Sequence, residues 1–156
     1  MHDDLTPDAA PFSLQLFARW PDMDFNQHMR NAAFLGASED CRMQFLAQRG
    51  FPMAELKRLQ VGPVLLEDRL TYRKEIGLLE PFRVDLALAA ATRDARRMKL
   101  RNTLYREDGA VAAVVESVVL WFDLAARRPI APPAALAQAW LTLARTDDFA
   151  WFPERA

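Results

Sequence analysis

Phe12, Leu14, Leu16 and Ala18 alternate with Ser13, Gln15 and Arg19, apart from Phe17, and this two-residue period predicts a first strand. Trp20-Pro21-Asp22 breaks it, because proline fixes its own φ and pushes the preceding residue toward extended backbone. From Asn31 the period changes. Phe34, Leu35, Ser38, Cys41, Arg42, Phe45 and Leu46 recur every three to four residues up to Gln48, and Gly50 follows as a stop, so a long helix with one apolar face is predicted over 31–48. A short polar segment over 53–59 separates it from four strands, predicted over 61–76, 82–92, 98–106 and 110–123. Glu107-Asp108-Gly109 is a good hairpin turn and Asp94-Ala95-Arg96 a less specific one. Pro132-Pro133 opens a final short helix expected over 134–143. Short joints predict that the four strands form an antiparallel meander, and the apolar helix face needs a sheet face to cover it. The expected class is α+β, a sheet of about five strands wrapped around the helix.

Composition narrows the setting. At 156 residues, 51% hydrophobic and 26% charged, the chain can bury about two-thirds of its surface and lies outside the disordered regime. One domain over 1–156 is expected, with a loose arm over 1–10 and a C-terminal helix and aromatic tail over 133–156. Trp140, Phe149, Trp151 and Phe152 are too apolar for a free tail and are expected to pack on the domain or a partner. A net charge of −1 removes the footprint of a nucleic-acid or anionic-membrane binder. Cys41 is the one cysteine, which excludes an internal disulfide or thiolate cluster. The acidic start reads as no signal peptide, and no run reaches the roughly eighteen apolar residues of a membrane helix, so a cytoplasmic protein is expected.

The chemistry concentrates between the first strand and the helix, in Asp22-Met23-Asp24-Phe25-Asn26-Gln27-His28-Met29-Arg30-Asn31. Carboxylates, amides and an imidazole stand there before a helix amino terminus, whose unsatisfied N–H groups can hold a developing oxyanion. The same residue types are also common caps and turn formers.

This stretch resembles the Asp-x-Asp-x-Asn-Gln-His-Val-Asn-Asn motif of hotdog-fold acyl thioesterases, both the acyl-carrier-protein enzymes and the single-domain acyl-CoA relatives. Leu70-Thr71-Tyr72-Arg73-Lys74-Glu75-Ile76 resembles a second block of that family, and Arg128-Pro129-Ile130-Ala131-Pro132 its exit from the last strand. The resemblance implies the hotdog fold and hydrolysis of an acyl-CoA or acyl-carrier-protein thioester without cofactor or metal. It implies a homodimer or dimer of dimers with sites at the subunit boundary. Asp24 matches the catalytic aspartate, Asn26 and His28 its polar neighbours, and Glu75 a carboxylate used by the plant enzymes; Asn31 and Arg73 are expected to bind substrate. Ile76 stands where those plant enzymes carry cysteine, and Cys41 falls on the apolar helix face as a small core residue. Gln27 replaces a glycine common in the short relatives, Arg30 an asparagine and Phe34 a frequent tyrosine.

A thiol leaves readily, so thioester hydrolysis needs only a nucleophile and a donor for the oxyanion. Asp24 can activate water or attack directly, with Asn26 and the helix amides polarising the carbonyl and His28 orienting; Glu75 can serve as base instead. Arg93, Arg96, Arg97, Lys99 and Arg101 form a basic cluster suited to coenzyme A phosphates or an acidic carrier protein, or to plain solvation. Asp22-x-Asp24 lacks the buried parallel strand of a phosphatase, and Glu39 is the one helix-borne candidate for a hotdog dehydratase. A non-catalytic acyl-binding or scaffolding hotdog protein is the alternative from another class.

Overall fold

The computed structural model describes residues 5–154. Strand β1 (Phe12–Phe17) leads through a 3-10 turn at Trp20–Asp22 to helix α1 (Asn31–Gln48), then to helix α2 (Met53–Leu59). Strands β2 (Val61–Tyr72), β3 (Pro81–Ala91), β4 (Arg97–Arg106) and β5 (Val111–Asp123) follow. A two-residue β6 (Arg128–Pro129), helix α3 (Ala134–Leu141) and β7 (Arg145–Trp151) complete the chain.

Strands β1 to β5 lie in the order β1-β3-β4-β5-β2, all neighbours antiparallel, while β7 adds to β3 in parallel and β6 to β5. The inward positions of β4 alternate without a break: Met98, Leu100, Asn102 and Leu104 are buried. Against this face α1 sets Phe34, Ala37, Cys41, Phe45 and Leu46, all buried, so the helix supplies one side of the core and the sheet the other. Trp121, Leu136 and Trp140 extend the same cluster, and Phe149 and Trp151 pack against its margin.

The structure departs from expectation in several places. The meander holds only for β3, β4 and β5; β2 pairs with β5 at the far edge and β1 takes the place beside β3. The eight residues from 73 to 80 make this possible, since a link of that length spans up to about 26 Å and three strand spacings need only about 14 Å. The segment expected only as a short polar stretch is helix α2, held by an Arg58–Glu55 contact one turn apart. β2 ends at Tyr72, four residues before the predicted limit at Ile76. Of the arm expected to be loose, Leu5 packs against the core margin, the Asp8 amide donates to the Thr142 carbonyl (2.8 Å) and its carboxylate meets Arg49 (2.9 Å). Residues 1–4 lie outside the described residues.

Candidate active site

The segment before α1 is built by its own polar side chains. Asp22 is clasped by Arg19, whose Nε and Nη2 each donate to a different carboxylate oxygen at 3.0 Å while its backbone N–H donates to Oδ2 at 3.0 Å. Burial would raise the Asp22 carboxyl, but the Arg19 hydrogen bonds and charge outweigh it and hold it below the usual range. The Arg30 amide then donates to the Asp22 carbonyl (2.8 Å), tying the start of the loop to its end. Of the two carboxylates in Asp22-x-Asp24, the first is a clasp.

Asp24 closes the tip. Its Oδ1 accepts from the Asn26 amide (2.8 Å) and the His28 amide (3.2 Å), and its own N–H donates to the His28 carbonyl (2.8 Å). Met23 and Met29 bridge antiparallel below this turn. Gln27 sits between at φ 63°, the left-handed region where glycine is free of strain, which accounts for the glycine common at this position in the short hotdog relatives. Asp24 Oδ2 accepts no hydrogen bond among the described residues, and the side chains of Asp24, Asn26 and His28 are exposed. Asp24 is therefore a cap of its own loop rather than of the helix. At Arg30, the N-cap of α1, no side chain bonds the helix amides, so the amino end of α1 is left open.

The crossing segment 73–80 lies beside this loop. The Met29 amide donates to the Ile76 carbonyl (2.7 Å), His28 bridges Gly77, and the Leu79 amide donates to the Ala18 carbonyl (2.7 Å). Arg106 fixes it from β4: its Nη1 donates to the Glu75 carbonyl at 2.9 Å and its Nε stands 3.6 Å from Glu80. Glu75 is thus exposed in the crossing loop, two residues before the Gly77 that His28 bridges, not on a strand as expected, and Arg73, also exposed, is anchored through its amide to the Ala112 carbonyl (2.8 Å). Tyr72, not singled out in the sequence, joins β2 to the helix start: its hydroxyl donates to the Asn31 carbonyl (3.4 Å) and its ring meets Phe34 edge-on.

A single chain leaves this constellation open. A cavity of about 450 Å³ lies between β1 and the first turns of α1, but Asp22 and Arg30 line it, while Asp24, Asn26, His28 and Glu75 do not. Around the loop the apolar side chains of Phe17, Trp20, Phe25 and Leu79 are more than half exposed, Phe25 completely. Among the described residues no cluster of three or more His, Cys, Asp or Glu could hold a metal, and no helix is long and apolar enough to cross a membrane. Cys41 is buried on α1 against the Val84 carbonyl, and burial pushes its thiol up to about 12, so it supplies no nucleophile.

The profile of the thioesterase-like superfamily matches residues 18–140, which takes in the loop, α1 and strands β2 to β6. No curated protein sequence matches the chain. Among solved structures, the hypothetical protein SAV2348 from Staphylococcus aureus, determined in complex with CoA, superposes with a TM-score of 0.79 at 23% identity, covering 97% of this chain and 94% of that one. Slr0204, a 1,4-dihydroxy-2-naphthoyl-CoA thioesterase from Synechocystis, gives 0.76 at 13% identity over 85% of this chain and 96% of its own. A DHNA-CoA thioesterase from Staphylococcus aureus gives 0.69 at 17% identity over 76% and 78%. The curled antiparallel sheet on its helix is the fold of these structures. The chain belongs to the thioesterase-like superfamily and has the hotdog fold.

Proposed function

We propose that the protein hydrolyses acyl-CoA thioesters, with Asp24 as the carboxylate that activates water or attacks the carbonyl. The observation that carries this reading is the hold on Asp24: two backbone amides fix Oδ1 and leave Oδ2 unengaged, in a loop that runs directly into the uncapped amino end of α1. A carboxylate oriented in this way and amides able to receive an oxyanion are the two groups thioester cleavage requires. Asn26 and His28 stand on either side as polarising and orienting groups. Glu75, in the crossing segment that His28 bridges at Gly77, is the competing base; Asn31 and Arg73 are assigned to substrate contact. Family membership and the CoA bound by the Staphylococcus aureus relative support coenzyme A as the carrier over an acyl carrier protein.

The exposed loop requires a second wall, and a homodimer supplies it in this reading. β2 is a free edge, and Leu65 (42%), Leu66 (53%) and Tyr72 (47%) are exposed along it. Pairing of two such edges, together with burial of Phe17, Trp20 and Phe25, closes the space around Asp24. A dimer of dimers extends the same assembly.

One observation favours a second reading, a non-catalytic acyl-thioester-binding protein: the hydrogen bonds of Asp24 Oδ1 are those of a purely structural turn. Thiol release from a panel of acyl-CoAs, run beside a binding titration on the same panel, separates them. Turnover is expected for at least one chain length; tight binding with no release on any would establish the scaffold.

A further inference from the structure

Two segments that meet at the His28–Gly77 bridge each carry a residue other than glycine in the left-handed region: Gln27 at φ 63° in the loop before α1, and Leu79 at φ 62° in the crossing segment 73–80. Backbone of this kind is costly and persists only where its surroundings fix it. A closed turn fixes Leu79. The Glu80 amide donates to the Gly77 carbonyl (3.1 Å), Glu80 Oε2 accepts from the Gly77 amide (2.8 Å), and the Leu79 amide and Glu80 carbonyl pair with the Ala18 backbone at 2.7 and 3.0 Å. Arg106, the last residue of β4, holds the same segment at two points: Nη1 donates to the Glu75 carbonyl (2.9 Å), and Nε stands 3.6 Å from Glu80 Oε1. That Nε is buried and makes no hydrogen bond; it lies between Glu80 and Asp108 (3.5 Å), so charge keeps it in place. The side chains of Arg106 and Glu80 are each 26% exposed, which limits screening of the pair. Asp108 is 60% exposed and its other oxygen accepts from the Ala110 amide (2.9 Å) in the β4–β5 turn, so it does not touch the crossing segment.

From this clamp a short backbone route leads to Asp24. One residue beyond the Glu75 carbonyl held by Arg106, the Ile76 carbonyl accepts from the Met29 amide (2.7 Å), and Gly77, held by Glu80, bridges His28. His28 gives its amide to Asp24 Oδ1 at 3.2 Å and accepts the Asp24 amide at 2.8 Å. The 3.2 Å bond is the longer of the two that fix Oδ1 and lies at the far end of the N–H···O range, so a small retreat of His28 breaks it and leaves the carboxylate to turn on the Asn26 bond alone. We propose that Arg106 and Glu80 are positioning residues for Asp24, holding the crossing segment so that the His28 backbone keeps the carboxylate aimed. The inference rests on the reading of Asp24 as the catalytic carboxylate.

The test uses the full-length protein and the best acyl-CoA of the panel. Arg106→Gln is expected to lower kcat about 10- to 100-fold with KM changed less than about twofold, since misaiming a bound group acts on the reacting step. Arg106→Lys, which keeps the charge beside Glu80, should stay within about fivefold of wild type, and Glu80→Gln should move with Arg106→Gln, whereas Asp108→Asn should change kcat less than about twofold. In an Asp24→Asn background Arg106→Gln should cost less than about threefold more, because no charge remains to be aimed. A loss carried by KM, a full multiplicative loss in that background, or equal effects at Glu80 and Asp108 overturns the proposal. So does a loss that vanishes in Glu75→Gln but persists in Asp24→Asn, which assigns the clamp to Glu75. Amide hydrogen exchange read by NMR needs no turnover: in Arg106→Gln it should accelerate about tenfold or more at His28 and Met29 while Asn102 and Leu104 in β4 keep their protection. Unchanged exchange at His28 and Met29 overturns the proposal, and so does equal loss of protection along β4, which makes Arg106 a residue of the fold alone. The local acceleration in a protein that hydrolyses nothing keeps the clamp on the loop and ends the catalytic reading of Asp24.

Discussion

Gln27 shows how much of the loop is decided by single residues. Its φ of 63° is paid for by the Asp24 hydrogen bonds on either side, and a glycine there would remove the strain while adding freedom to the unfolded chain. Gln27→Gly is expected to stabilise the protein by about 0.5–1 kcal/mol in urea unfolding. Asp22 predicts acid sensitivity. Its carboxyl is depressed in the folded state, so the stability it contributes is fully present above its ordinary pKa near 3.8 and is lost as the pH falls below that value. Asp22→Asn should flatten the decline of stability between pH 4 and pH 2, measured by denaturant midpoints; an unchanged slope would mean that the Arg19 clasp is not what acid breaks. The motif was legible in the sequence, but the division of labour inside it was not. Asp22 and Asp24 are one residue type two positions apart, and only the bidentate approach of Arg19 separates clasp from candidate catalyst.

At the scale of elements, α1 was read with its observed limits because apolar positions at helical spacing leave one stripe to bury. The strands with one covered face were equally plain. α2 was hidden by its polarity, since Leu56 is its one buried side chain, and β7 by Thr146, Asp147 and Asp148 in its middle. β2 was read four residues too long because Arg73-Lys74-Glu75-Ile76 continues a strand-like pattern, and nothing local indicates that Ile76 turns inward to the core beneath Met29. One helix-to-sheet contact is polar, although its residue falls on the predicted apolar stripe. Arg42 points from α1 into the sheet, where Nε donates to Asn102 Oδ1 (2.8 Å) and Nη2 to Ser117 Oγ (2.8 Å), and Ser117 in turn donates to Asp68 on β2. All three of Arg42, Asn102 and Ser117 are buried, so removing the guanidinium strands two polar groups. Arg42→Ala is expected to cost about 3–5 kcal/mol in chemical denaturation, and Arg42→Met, which refills the space, distinctly less.

For the whole molecule, a chain-level reading of short joints gave the wrong neighbour for β2 because connection length limits distance and does not choose a partner. The observed order leaves β2 as an edge with apolar side chains outward, the surface on which the proposed dimer rests. Leu66→Lys is expected to convert a dimer at micromolar concentration toward monomer in sedimentation velocity and to reduce thioester turnover in parallel; a wild-type monomer with full activity would refute a site shared between copies. Asp24 is exposed in one chain and lies outside the cavity between β1 and α1, so the proposed site depends on the second copy.

The central claim is that Asp24 performs chemistry beyond closing its turn, and Asp24→Asn isolates it, because the amide oxygen of asparagine can still accept from the Asn26 and His28 amides while the charge is gone. Steady-state thiol release by this variant on the best acyl-CoA, with its melting temperature measured alongside and Glu75→Gln as comparison, is the most direct measurement. The kcat of Asp24→Asn is expected to fall about 10²- to 10⁴-fold with the fold intact, and that of Glu75→Gln by less. Near wild-type turnover in Asp24→Asn, with the loss falling on Glu75→Gln, would contradict it.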